Sequence, residues 1–340
     1  MVDNNSKLTS AEISQLWSNY MNDTMSVCML SYFKKTAEDS VVRELIEFAL
    51  ELSQKHIQEL TVIFQDHNYP IPYGFTEEDV DLSGPQLFTD NYYLYYLHQW
   101  SGVGLDSYSL SLMLAANKDV IQYFSECVNE SKELLNRTKE VLLSKGLFIR
   151  APYIPIPSKV EFVHKHNFMA GWFGERRPLN TLEIATLFAN YQRNALAKVT
   201  FIGFSQVAKD KEVIKCMLRG KDLASNHIKG FDTILHASDL PSSETWDTMV
   251  TDSTVPVFSD KLMMFHISTL LNRGVGFYGT SLGVSSRRDL GAHYLKILGG
   301  LLLFAEDIAN LMIDKGWMEQ PPSMVNRDEL SKIKGDHVKD

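Results

Sequence analysis

The chain has 340 residues, 44% of them apolar and 22% charged, with a formal net charge of −9. That composition describes a globular protein with apolar mass for two cores, and its acidic balance excludes nucleic acid and anionic membrane surfaces, whose recognition demands concentrated Lys and Arg. Cys28, Cys127 and Cys216 cannot all pair within one chain, which fits buried thiols in a reducing compartment.

The polar stretch from Met1 to Ser10 has no apolar core and is not a secretory leader, so the expected compartment is the cytoplasm. From Thr9 to about Thr36, the residues Ile13, Leu16, Trp17, Tyr20, Val27 and Leu30 recur at helical spacing and predict an amphipathic helix. Asp39 or Ser40 caps a second helix, with Val42, Leu45, Ala49, Leu52, His56 and Ile63 on one face, before Asn68 and Pro70 stop it. The short link between these helices makes them an antiparallel hairpin. A connection of about twenty residues follows, rich in Pro, Gly and acidic side chains and too long for a simple turn. Helices three and four are expected from about Pro85 to Asn117 and from Lys118 to Lys145, with Gly102 and Gly104 offering a kink and Gly146 a cap.

Ala151 to Pro157 reads as an extended, polyproline-like strap. Its continuation to Phe173 carries Phe162, Val163, Phe168 and Trp172, apolar enough to pack along the helices. Further helices start at Thr181, Asp210, Val257 and Arg288. The most apolar stretch, Tyr294 to Ile313, is interrupted by Lys296, Glu306 and Asp307 and reads as a buried helix rather than a membrane span. The tail after Pro321 is polar, and disorder is expected at its end.

The two halves repeat one another. Leu8 to Tyr20 returns as Leu179 to Tyr191 at a shift of 171 positions, as do Asp39 at Asp210 and His56 at His227. After a one-residue deletion the shift is 170, bringing Asp119 to Asp289 and Lys145 to Lys315. A repeat this long is a duplicated domain, and each half is expected to be a complete folding unit: residues 8–150 and 179–320, with the strap at 151–178 and the polar tail at 321–340. Four helices with one long crossover between the second and third is the ferritin-like topology. The expected fold is therefore all-α, two tandem ferritin-like four-helix bundles.

A ferritin-like bundle makes its di-iron centre from a Glu on each of two helices and Glu-x-x-His on each of the other two. Here the residues three before His56 and His227 are Ser53 and Ala224, and helix four offers only Glu126-x-x-Asn129 and Glu306-x-x-Ala309. His98 and His266 are out of register by two positions. No duplicated di-iron centre is expected. Among polar residues kept in both halves, Asp39 and Asp210, Thr89-Asp90 and Ser259-Asp260, and Asp119 and Asp289 sit at helix starts, where they cap. Glu12 and Glu183, Asn19 and Asn190, Ser111 and Ser281, and His56 and His227 remain. Asn19 and His56 lie equally far from the turn at Ala37-Glu38, and Asn190 and His227 equally far from Ala208-Lys209, so each pair should face across its hairpin. One reading is an interhelical hydrogen bond that satisfies a buried imidazole. The other is a remnant metal or small-ligand site with Glu12 or Glu183 beside it. His164-x-His166, Gly102-x-Gly104, Gly299-Gly300 and the aromatic run from Tyr92 to Trp100 lack the surroundings that metal, phosphate or base binding requires.

With the duplicated bundle, the crossover, the Pro-strap and Arg177-Pro178-Leu179-Asn180 followed by Glu183-Ile184, residues 8–320 resemble an uncharacterised family of tandem ferritin-like proteins from spore-forming bacilli, described as spore coat proteins. The resemblance implies a non-enzymatic structural or interaction protein with no catalytic residues and no cofactor, partnered by other proteins such as coat components and deposited on the spore coat. The alternative is a metal-binding protein or metal-dependent oxidoreductase of degenerate ferritin-like type, using His56 and His227 with Glu12 and Glu183. A third reading, a sensor for a small apolar ligand, requires an interior cavity near His56.

Overall fold

The computed structural model describes residues 7–171 and 176–330. The first half contains α1 (Ser10–Thr36), α2 (Ser40–Asp66), α3 (Asp90–Leu114) and α4 (Lys118–Ser144). The second contains α5 (Thr181–Val207), α6 (Lys211–His236), α7 (Asp260–Val284) and α8 (Arg288–Asp314). Among the described residues there is no strand, and the fold is all-α. Nor, among those residues, is any helix long and apolar enough to cross a membrane.

Local chemistry fixes the helix ends. At the start of α1 the Thr9 side chain accepts from the Glu12 N–H while the Glu12 carboxylate accepts from the Thr9 N–H, a capping box that Asn180 and Glu183 repeat in α5. Asp39 and Asp210 cap α2 and α6, each accepting two backbone N–H groups. At the end of α4, Gly146 takes a φ of +69°. Its left-handed turn lets the Leu147 N–H reach the Leu142 carbonyl at 2.8 Å, and Trp317 to Met312 repeats the bond after α8.

Several expected boundaries and caps differ. The third and seventh helices begin at Asp90 and Asp260 rather than near Pro85 and Val257, because the residues before them bond to the other half. Thr89 makes no capping bond, whereas Ser259 does. Asp90 and Asp260 serve the hairpin turns instead, accepting from Asp39 N–H at 2.6 Å and Asp210 N–H at 2.8 Å. Asn117 and Arg287, not Asp119 and Asp289, precede α4 and α8. α3 runs unbroken through Gly104, where a Cβ would lie 2.9 Å from Ser131 Oγ; the glycine permits close approach of α4.

The crossovers join the halves. Val80 bridges Phe258 and Phe88 bridges Val250, both antiparallel. The flanking backbone bonds come in matched pairs: Asp81 N–H to Val257 carbonyl at 2.8 Å with Thr251 N–H to Leu87 carbonyl at 2.9 Å, and Thr89 to Met249 with Ser259 to Asp79, both at 2.9 Å. At the 170-residue shift each bond maps onto its mate, so the crossovers meet about a pseudo-twofold axis. One apolar core runs through the junction, with Phe33, Phe88 and Tyr92 from the first half and Phe204 and Phe258 from the second. A smaller cluster of Leu16, Leu60, Phe64 and Phe124 fills the far end of the first half.

The strap does not pack as expected. Ile156 is 93% exposed, Val160 88% and Phe162 78%. Pro152, Pro155 and Pro157 have no N–H with which to bind a neighbouring segment. Phe168 is clasped, with the Arg177 guanidinium 4.1 Å above its ring. Trp172 and Phe173 lie outside the described residues.

Candidate functional site

A polar cluster sits inside the first half where three helices converge. Asp23 comes from α1, His56 from α2, and Cys127 and Glu130, one turn apart on one face, from α4. His56 Nε2 lies 2.8 Å from a Glu130 carboxylate oxygen, and Nδ1 lies 3.4 Å from Asp23 Oδ1. Ligand atoms of His56, Cys127 and Glu130 all fall within 4.8 Å of one another. Cys127 is fully buried, and His56 and Asp23 nearly so. Asp23 Oδ2 is buried without a hydrogen-bond donor, although it too lies 3.4 Å from His56 Nδ1. Tyr108 and Tyr123 present ring faces or edges to the imidazole at 5.7 and 6.0 Å. A cavity of about 120 Å³ adjoins the cluster, lined among others by Asn19, Asp23, Ser53, His56 and Tyr108.

The electrostatics follow from this enclosure. Burial alone would push the His56 imidazole down, but the Asp23 carboxylate and the bonds to Cys127 and Glu130 reverse the sign and hold it well above its ordinary value. Burial likewise raises Glu130, yet His56 and Lys55, whose Nζ is 2.6 Å from Glu130, bring it below the usual carboxylate range. Burial raises the Cys127 thiol, partly offset by His56.

The second half keeps the frame and loses the charges. Asn194 stands where Asp23 stands, Ile297 where Cys127 does and Gly300 where Glu130 does. His227 Nδ1 meets Asn194 Oδ1 at 3.1 Å, and the Asn194 amide donates to the Tyr278 hydroxyl at 2.6 Å. Burial, with His293 nearby, pushes His227 down to about 4.

The expected Asn–His pairs do not form. Asn19 donates to the Tyr123 hydroxyl, and Asn190 donates to Ser281 Oγ at 2.8 Å. Side chains lean toward the N-terminus of their own helix, which is away from the turn on α1 and toward it on α2. His56 therefore meets the residue one turn nearer the hairpin turn, Asp23 rather than Asn19, and His227 meets Asn194. Glu12 and Glu183 are also remote from the histidines in role. Glu12 accepts from the backbone of Thr9, Ala116 and Asn117 at 2.8, 2.9 and 2.6 Å. Glu183 accepts from Asn180 and Arg287 N–H and holds the Arg177 guanidinium at 2.8 Å. Ser111 Oγ donates to Gln15, 2.9 Å away. Asp23, Cys127 and Glu130 are not among the polar residues kept in both halves. Their signal was the spacing Cys127-x-x-Glu130 and its absence at Ile297 and Gly300.

The chain matches the family model described as "Protein of unknown function (DUF3231)" twice, over residues 1–160 and 167–330. It belongs to that family and carries its domain in two tandem copies. Among solved structures it is similar to a putative spore coat protein from Bacillus halodurans C-125, at 15% identity and a TM-score of 0.41 over 44% of this chain and 98% of that one. None of the curated proteins matches it.

Proposed function

We propose that the first half is a binding site for one divalent transition-metal ion of the zinc type, held by His56, Cys127 and Glu130, with Asp23 at the other ring nitrogen orienting the imidazole. The observation that carries this reading is the buried convergence of an imidazole, a thiol and a carboxylate beside an unsatisfied Asp23 oxygen. Zinc accepts this N, S and O donor set in a tetrahedron with bonds of about 2.0–2.3 Å, which sets ligand atoms about 3.4 Å apart. Contraction from 4.8 Å is within reach of side-chain rotation. Binding displaces the imidazole and thiol protons, so affinity rises with pH. A carboxylate-bridged iron pair does not fit, since among the described residues the carboxylates bonded to His56 are Asp23 and Glu130, one on each ring nitrogen. The long crossover in each half supports a ferritin-like frame for this departure from ferritin chemistry.

The test is cobalt titration of protein purified without chelators, with metal content measured in parallel. One ion per chain with a thiolate-to-cobalt band, both lost in Cys127→Ser, is the expected result. Failure to bind zinc or cobalt would leave His56 as a buried ion pair and nothing more.

A second reading rests on the strap. Exposed Ile156, Val160 and Phe162 favour a structural or interaction role with protein partners, of which the spore coat role implied by resemblance is one form. Serine at all three positions should abolish association seen by light scattering and cross-linking; unchanged association would dispose of this reading.

A further inference from the structure

A second cavity, of about 100 Å³, lies where α3 meets the second half. Its wall is mostly apolar, including Trp100, Leu223, Leu271 and Phe277, yet two guanidinium groups, Arg193 and Arg273, also line it. Neither forms an ion pair among the described residues. Arg193 lies with its guanidinium 3.7 Å above the Phe277 ring, gives one bond of 3.1 Å to Asn190, and has its Nε buried with no acceptor. The carboxylate of Asp106 acts on both arginines only through space, and it sits at the exposed surface. His266, fully buried, is a third polar group on the wall. Its Nε2 meets the Tyr96 hydroxyl at 3.1 Å while its Nδ1 has no partner.

Two partly buried cations with no bonded anion, beside an unsatisfied imidazole nitrogen and aromatic walls, define what is missing. Burying a charge or a polar group without a partner is costly. An anion entering this space would recover that cost, and a planar carboxylate matches the guanidinium fork. The apolar wall calls for a compact hydrocarbon body, since a dry engineered cavity of about 150 Å³ takes up benzene and this one is somewhat smaller. We infer that the cavity binds a small monocarboxylate with a compact apolar body, its carboxylate on Arg193 and Arg273 and its body against Trp100 and Phe277. Arg273 also lines the cavity beside His56. The inference does not depend on metal at that cluster, and it is tested without added metal.

Isobutyrate is the probe, with its neutral isostere isobutyramide and the longer decanoate as comparisons, measured by calorimetry on the full chain. Isobutyrate should bind with one site per chain, at least tenfold more tightly than isobutyramide. Arg193→Gln or Arg273→Gln should weaken isobutyrate at least tenfold and remove its preference over the amide. Where an arginine variant fails to fold, Gly274→Leu serves instead: a Cβ there meets nothing nearer than 4.0 Å, and the added side chain occupies the cavity and should abolish binding of both probes. Absence of isobutyrate binding, equal affinity for the amide, tighter binding of decanoate, or indifference to Gly274→Leu would each overturn the assignment.

Discussion

Asp23 and Asn194 occupy the same place in the two halves, each beside Nδ1 of a buried histidine, at 3.4 and 3.1 Å. The exchange of a carboxylate oxygen for an amide nitrogen sets the charge of the ring next to it. His56 is held protonated above its ordinary value, whereas His227 is driven to about 4 and is neutral at physiological pH. One frame thus houses opposite electrostatic states.

The first prediction is a split titration. In metal-free protein the His227 ring proton should titrate at about 4 by NMR, while His56 should titrate well above the ordinary 6.5. A folded value below the ordinary 6.5 makes the His227 contribution to stability fully present above 6.5 and lost as pH falls from there toward 4. The raised value of His56 has the opposite sign: its contribution is fully present below 6.5 and is lost as pH rises through the folded value. Similar titrations for the two rings would refute the proposed role of Asp23.

Asp23→Asn should convert the first site toward the second. His56 should lose its elevated value, and zinc affinity should fall at least tenfold. Unfolding in urea should shift by about 1–3 kcal/mol, the cost of rearranging one buried charged bond. An unchanged His56 titration would mean that Glu130 alone holds the proton.

Glu12→Gln should destabilise without touching metal binding. Four bonds converge on that carboxylate, from the backbone of Thr9, Ala116 and Asn117 and from the Thr9 hydroxyl, and the variant should cost about 1–3 kcal/mol. Burial raises Glu12 but the backbone bonds outweigh it, so its folded value lies below 4.5. Its stabilisation is therefore present above 4.5 and lost as pH falls through the folded value. Loss of zinc with intact stability would place Glu12 in the site after all.

Gly203→Leu should damage the junction between the halves. A Cβ at Gly203 would lie 2.4 Å from the Phe88 ring, across the shared core. Overpacking of this kind costs about 1–3 kcal/mol, and the loss should appear as lower cooperativity of thermal unfolding in calorimetry. A wild-type transition would show that the junction is soft.

The all-α fold was legible because helical periodicity and caps are local. Thr9 with Glu12, Asp39, and Gly146 each act within a few residues of themselves. What joins the halves was not legible, since Val80 finds Phe258 and Phe88 finds Val250 through bonds that leave no periodic trace. Within the site, His56 stands out as an imidazole in an apolar stripe, but equal distance from the turn points to Asn19, one turn from its true partner Asp23, because side chains lean along each helix. Cys127 and Glu130 leave no mark in the repeat, because they are positions where the two copies differ.

The reciprocal bridges Val80 to Phe258 and Phe88 to Val250 have the form of a contact between two identical subunits, each lending the other the same surface. An assembly of separate copies would be bound to symmetry: whatever one interior acquires, the other acquires too. Covalent linkage through the strap removes that obligation. One half can hold an acidic, thiol-bearing centre while the other carries Ile297 and a bare Gly300 at the same positions. The linked pair also stays matched at any dilution, so the half bearing the charged centre is never separated from its twin.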